Sequence, residues 1–190
     1  MPFEAQEKKA LENSAAGDDA ALWPSPRDFD AGRDAPVPWN WLAGLTLLAA
    51  VLRAIALDQQ LWYDEITTLV DSVRRPLAII VTTYTSQNQH TLYSILARVS
   101  IVLFGEHPWA LRLPAVLFGV ASIPALYFYA RLATSRREAL LACALLTVSY
   151  HHVWFSQNAR GYTAMVFWTL LTTYFFIRGA RPIRAGRPAE

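Results

Sequence analysis

Residues 39–57 are apolar but for Asn40 and Arg53, about the length that spans the hydrocarbon core of a bilayer, and Trp39 and Trp41 open the run as interfacial anchors. Beyond it, Ile66, Leu69, Val70 and Val73 fall at helical spacing until Arg74, Arg75 and Pro76 interrupt them, which predicts a short amphipathic helix. The polar run from Thr82 to His90 reads as an exposed loop. A second stripe follows at Leu92, Ile95, Leu96, Val99, Val102 and Leu103, with Tyr93, Ser94, Arg98 and Ser100 on the opposite face. That two-faced pattern, too short to span comfortably, predicts a helix lying in the membrane interface.

Three further apolar runs follow, the first of them long enough to cross. Leu113 to Leu132 carries Pro124 near its middle, where a kink is expected, and Ala139 to Phe155 is separated by the polar link Ser156 to Tyr162 from a last run, Thr163 to Ile177. The pattern as a whole predicts an all-α membrane protein with about four transmembrane helices plus in-plane juxtamembrane helices in the first outer loop.

Basic residues orient these segments. With four crossings, one side of the membrane holds eleven of them: Lys8, Lys9, Arg27, Arg33, Arg131, Arg136, Arg137, Arg178, Arg181, Arg184 and Arg187. The other side holds five, Arg74, Arg75, Arg98, Arg112 and Arg160. A crossing by 91–104 would move both later arginine clusters outside, against the positive-inside bias, so both termini are expected in the cytoplasm. Residues 1–38 hold eight carboxylates, four basic residues and prolines at Pro24, Pro26, Pro36 and Pro38, which predicts a disordered cytoplasmic tail with no secretory signal at its start. The membrane domain then covers 39–178, and 179–190 form a basic cytoplasmic tail.

Composition agrees with a lipid partner. A content of 54% hydrophobic residues with seven Trp is too apolar for an ordinary soluble domain, and a net charge of +2 gives no reason to expect nucleic acid. The single Cys143 excludes an internal disulfide framework and a cysteine-based metal site.

Candidate chemistry lies in two polar stretches that the four-crossing topology brings to one face. In Leu61-Trp62-Tyr63-Asp64-Glu65, two carboxylates follow the first crossing; each is either a functional acid at a membrane lip or part of a helix start, with Asp64 as cap and Glu65 in the first turn. In the link, Arg160 offers a guanidinium able to hold a phosphate by paired hydrogen bonds, where a carboxylate beside an acceptor hydroxyl could take its proton. Arg53 either snorkels to the interface or serves Asp64 and Glu65 as counter-ion. His90 stands alone in its loop, and His151 with His152 sits at an interfacial position. No metal site is evident: a divalent cation is conceivable at Glu65, but two adjacent carboxylates do not provide six or more oxygens.

Four blocks in order carry a resemblance: Arg53 with Leu61-Trp62-Tyr63-Asp64-Glu65; His90-Thr91-Leu92-Tyr93 through Leu103-Phe104-Gly105; Ala110-Leu111-Arg112-Leu113-Pro114 with Phe118-Gly119; and Phe155-Ser156-Gln157-Asn158-Ala159-Arg160-Gly161-Tyr162. They resemble the amino-terminal half of membrane glycosyltransferases of the C-type fold, related to protein O-mannosyltransferases and lipid A aminoarabinose transferases. The resemblance implies a multi-pass enzyme that takes a sugar from a polyprenyl phosphate at the outer face of the cytoplasmic membrane and gives it to an acceptor hydroxyl. It implies Asp64 as the catalytic base with Glu65 its acidic neighbour, and it matches Arg160 and Tyr162 to the family's outer-link motif; Arg160, Tyr162 and His90 are the candidates to bind the donor phosphate. His90-Thr91 replaces a proline pair common in relatives, and Asn158 stands where Glu is frequent. Because such enzymes have many more crossings, the expectation is a fragment or subunit of a larger enzyme, with a second chain supplying the missing crossings. The alternative is a catalytically inactive four-helix partner subunit; a transporter-like bundle would call for charge at mid-depth, which only Arg53 approaches.

Overall fold

The computed structural model describes residues 36–84 and 89–180. The expected disordered tail, the middle of the polar run after Thr82 and nearly all of the basic tail lie outside the described residues. Within them every regular element is helical: α1 (Trp39–Ala54), α2 (Tyr63–Thr68) running into a π-helical turn (Leu69–Val73), α3 (Leu77–Thr82), α4 (Thr91–Phe104), α5 (Pro108–Ala130), α6 (Arg136–Val148), α7 (Tyr150–Ser156) and α8 (Tyr162–Ala180).

Among the described residues one helix, α5, is long and apolar enough to cross a membrane, and α6 with α7 forms a second candidate, bent by 59°. Helix α1 has 16 residues and α4 has 14, both apolar but short. Threonines and aromatic residues with polar edges (Thr163, Thr169, Thr172, Thr173, Tyr174) lower the hydropathy of the 19-residue α8. The expected first span is thus shorter than its apolar run, because α1 stops at Ala54 and Ala56 turns into the left-handed region (φ 61°). The expected third span is broken at Ser149. Pro114 and Pro124 both lie inside a single assigned helix, α5.

Helix α5 is the axis, in contact with α1, α4, α6, α7 and α8. Trp39 of α1 meets Phe128 near the far end of α5, while Arg53 lies beside Gly119, so α1 and α5 are antiparallel. Thr163 donates to the Ala115 carbonyl, Phe167 meets Phe118 and Tyr174 meets Phe128, which makes α8 and α5 parallel and in register. A capping box starts α6: Glu138 N–H donates to Ser135 Oγ while the Glu138 carboxylate accepts from Ser135 N–H. Helix α4 lies against the start of α5, with Tyr93 donating to the Leu111 carbonyl and Ser100 to that of Ala110.

Two apolar cores result. One gathers Leu69, Val73, Tyr93, Ala97, Leu111, Ala115 and Ala159 at the end carrying the polar link; the other gathers Leu42, Ala49, Ile123, Tyr127, Ala139 and Cys143 toward the other end. Beside them sits Arg53, fully buried, and neither expectation for it holds: it does not snorkel, and it does not face Asp64 or Glu65. Its five N–H groups reach Ser156 Oγ, His152 Nδ1 and the carbonyls of Ala49, Leu146 and Thr147. The break at Ser149 is the reason, because ending α6 leaves carbonyls without intrahelical partners and a cation satisfies them along the helix dipole. Gly119 makes room: a Cβ there would overlap the Ser156 hydroxyl and stand 2.9 Å from its Cβ.

Candidate functional site

The first turn of α2 carries both carboxylates, and the helical twist sends them in different directions. Glu65 is the third residue of α2, where its carboxylate accepts from the N–H of Trp62 just ahead of the helix (3.0 Å). This is half of a capping box, so the capping task foreseen for Asp64 belongs to Glu65. Glu65 is only 1% exposed, and it forms a bidentate pair with Arg112 of α5 at 2.8 and 2.6 Å. Its fourth donor is the N–H of Ala159 in the link, at 2.7 Å. Both oxygens therefore accept twice, which uses the lone-pair sites a carboxylate has and leaves none for a cation or a reacting proton.

Arg112 is equally saturated. Besides Glu65 it donates to the carbonyls of Leu57, Gln59 and Gln60 (2.7, 2.9 and 3.1 Å), so its five N–H groups are all engaged. Sequence reasoning placed it among the solvent-side arginines. The signal that could have exposed it is position: a lone arginine in the first turns of a long apolar helix, beside Leu111 and Pro114, needs a buried partner.

Asp64 points the other way. Its side chain is 62% exposed and its Oδ2 lies 2.7 Å from the guanidinium of Arg160, which is nearly buried. The two polar stretches singled out in the sequence do meet, by this pair and by the Glu65 to Ala159 hydrogen bond. The link is itself fixed: the Gln157 amide donates to the carbonyls of Leu52 and Ile55 at the end of α1, and Asn158 donates to that of Trp154.

His90 and Tyr162 close the other side. Their rings meet edge to face at 5.2 Å, and Tyr162 also contacts Phe155 at 4.8 Å. Gly161 permits this, because a Cβ there would stand 3.0 Å from the Cβ and Cγ of His90. Burial, and then the positive charge of Arg160, lower the pKa of His90 from its usual 6.5, so at neutral pH the imidazole is uncharged. His90 and Tyr162 thus flank Arg160 rather than adding charge to it. Among the described residues no three His, Cys, Asp or Glu side chains come together as a metal site. The chemical capacity of the end is an accessible carboxylate, a guanidinium with its stem in the protein, a neutral imidazole and a phenol.

No curated protein and no solved structure matches the chain. A family model described as dolichyl-phosphate-mannose-protein mannosyltransferase matches residues 90–186, a stretch that includes His90, Arg112, Arg160 and Tyr162 and begins after the two carboxylates. Mannosyltransferase-type chemistry, a lipid-linked sugar donor and a membrane setting come with that match. Because the match takes in more than half of the sequence, the chain belongs to the dolichyl-phosphate-mannose-protein mannosyltransferase family.

Proposed function

We propose that this chain carries the base and a donor-phosphate contact of an inverting transferase that moves a sugar from a polyprenyl phosphate to an acceptor hydroxyl. The observation that supports it most is the Asp64–Arg160 pair: an accessible carboxylate beside a sheltered guanidinium. Each is what one end of the reaction needs. The donor phosphate takes hydrogen bonds from Arg160, with Tyr162 and uncharged His90 at its side, and so competes Arg160 away from Asp64. The freed carboxylate accepts the acceptor's proton as the hydroxyl oxygen bonds to the anomeric carbon. The bond from that carbon to the phosphate oxygen breaks on the opposite face, and its electron pair leaves with the polyprenyl phosphate. Glu65 and Arg112 are positioning residues in this scheme, since neither has a free hydrogen-bonding site.

The same proposal includes four crossings, made by α1, α5, the bent α6–α7 and α8, with α4 in the interface and both termini inside. Antiparallel α1 and parallel α8 about α5 support it, as does the partition of eleven basic residues against five. The enzyme acts in the cytoplasmic membrane with its site outward, as a fragment or subunit of a larger transferase.

Two experiments test this. Membranes holding the assembled enzyme are given a panel of labelled polyprenyl-phosphate sugars; transfer is expected from the parent and lost in Asp64→Asn at normal abundance. Transfer at the parental rate by Asp64→Asn would remove the base from Asp64. In a Cys143→Ser background, cysteines at Tyr84 and Glu106 are expected to react with an impermeant reagent from outside and one at Ser135 not to. Reaction of Tyr84 and Glu106 positions from opposite sides would make α4 a crossing.

A further inference from the structure

The connection between α1 and α2 has no regular structure over most of its length, yet it is held backbone atom by backbone atom. Arg112 engages the carbonyls of Leu57, Gln59 and Gln60, Glu65 engages the N–H of Trp62, and Gln157 engages the carbonyl of Ile55. Burying Arg112 and Glu65 carries a desolvation cost of several kcal/mol per ion before their attraction is counted, far more than joining two helices requires. The side chains the connection presents are nonetheless exposed, Trp62 at 66% and Tyr63 at 82%. Gln59, Gln60, Leu61, Trp62 and Tyr63 line an open recess of about 520 Å³, with Leu61 also packed against the apolar core beneath. A rigid backbone displaying accessible side chains is how a binding site is preorganised.

We propose that this recess binds a sugar ring of the acceptor, so that the hydroxyl glycosylated belongs to a carbohydrate. The five described lining residues are uncharged, which suits a neutral polyol. Each glutamine amide offers donors and an acceptor from one planar group, matching hydroxyls that both give and take hydrogen bonds. Trp62 and Tyr63 supply flat faces for the C–H side of a sugar ring at low conformational cost. An extended peptide would ask for a row of backbone partners, and the carbonyls of Gln59 and Gln60 and the N–H of Trp62 are already engaged. Tyr63 directly precedes Asp64, which brings a ring in the recess to the edge of the base. The inference rests on the reading of Asp64 given above.

The test separates binding from transfer. The full chain in nanodiscs is titrated with methyl glycosides of glucose, galactose, mannose and N-acetylglucosamine, and with a serine- and threonine-containing hexapeptide, using saturation-transfer NMR. At least one glycoside is expected to bind saturably, with affinity reduced tenfold or more in Trp62→Ala and in Gln60→Ala and unchanged in Trp41→Ala, an exposed tryptophan on α1. Trp62→Phe, which keeps an aromatic face, is expected to restore most of the binding even if Trp62→Ala lowers the inserted amount. Failure of every glycoside to bind, indifference to both Trp62 substitutions, or displacement of the glycoside by the hexapeptide would each overturn the inference. Saturable, Trp62-dependent binding in an assembly that transfers no sugar would sink the transferase reading and leave the recess standing. Transfer to the hexapeptide, undisturbed by Trp62→Ala, would do the reverse.

Discussion

Asp64 and Glu65 are neighbours in one helical turn, each with an arginine, and the two resulting regions of the molecule have opposite character. Around Glu65 the polar groups are buried, saturated and tied to three separate parts of the chain. Around Asp64 a carboxylate remains in reach of solvent with one strong partner. A buried pair that is broken leaves an uncompensated ion, whereas a pair whose carboxylate is 62% exposed is screened on that side and contributes less to stability. Identical chemistry thus serves architecture on one side of the turn and, in the reaction we propose, proton transfer on the other.

The strongest way to break that contrast is Asp64→Asn, which keeps shape and removes the basic lone pair. Sugar transfer by the assembled enzyme is expected to fall by about a hundredfold to ten-thousandfold, with the melting temperature in nanodiscs unchanged. Equal losses of stability in Asp64→Asn and Glu65→Gln would erase the distinction. Next comes Glu65→Gln, which strands the Arg112 charge and is expected to cost about 3–5 kcal/mol of stability, read as lost thermal resistance and abundance. Combining it with Arg112→Met should recover part of that loss, because the stranded charge goes with it.

Gly119→Ala probes the other buried arginine at a distance from both carboxylates. The added methyl collides with Ser156 beside Arg53, and a destabilisation of about 1–3 kcal/mol is expected, relieved when Ser156→Gly is added. A pH titration gives the smallest effect. His90 has a folded pKa below its usual 6.5, so the unfolded chain takes up a proton first as the pH falls. The stability from this group is complete above about pH 6.5 and is lost toward the depressed value; His90→Gln should flatten that part of the profile in a melting series.

Much of this site could be read from residue order alone. A carboxylate pair at the end of one apolar run and Arg160 in the polar link before another were expected on one face, and Asp64 and Arg160 do meet. Which carboxylate faces inward could not be read, since it depends on the rotation of α2 against α5, and rotation is fixed by Leu69 and Val73 finding Tyr93 and Leu111. Arg53 was misplaced for a related reason. Two of its five partners are carbonyls near the end of α6 and two more, His152 and Ser156, lie just past the break at Ser149, which no proline or glycine marks. The helices themselves were legible because apolar stripes declare them; the spans were not, because α1 ends before its apolar run does.

The four donors to Glu65 also set a timetable for biosynthesis. Trp62 is at hand when the turn forms, but Arg112 lies 47 residues later and Ala159 lies 94 later. A ribosome adding about 5–20 residues per second reaches Ala159 roughly 5–20 s after Glu65 emerges. Until then the carboxylate lacks the last of its four donors. Helix α8 is therefore preceded by the backbone amide that closes the connection between α1 and α2, and a ribosome stalled short of Ala159 leaves that connection open.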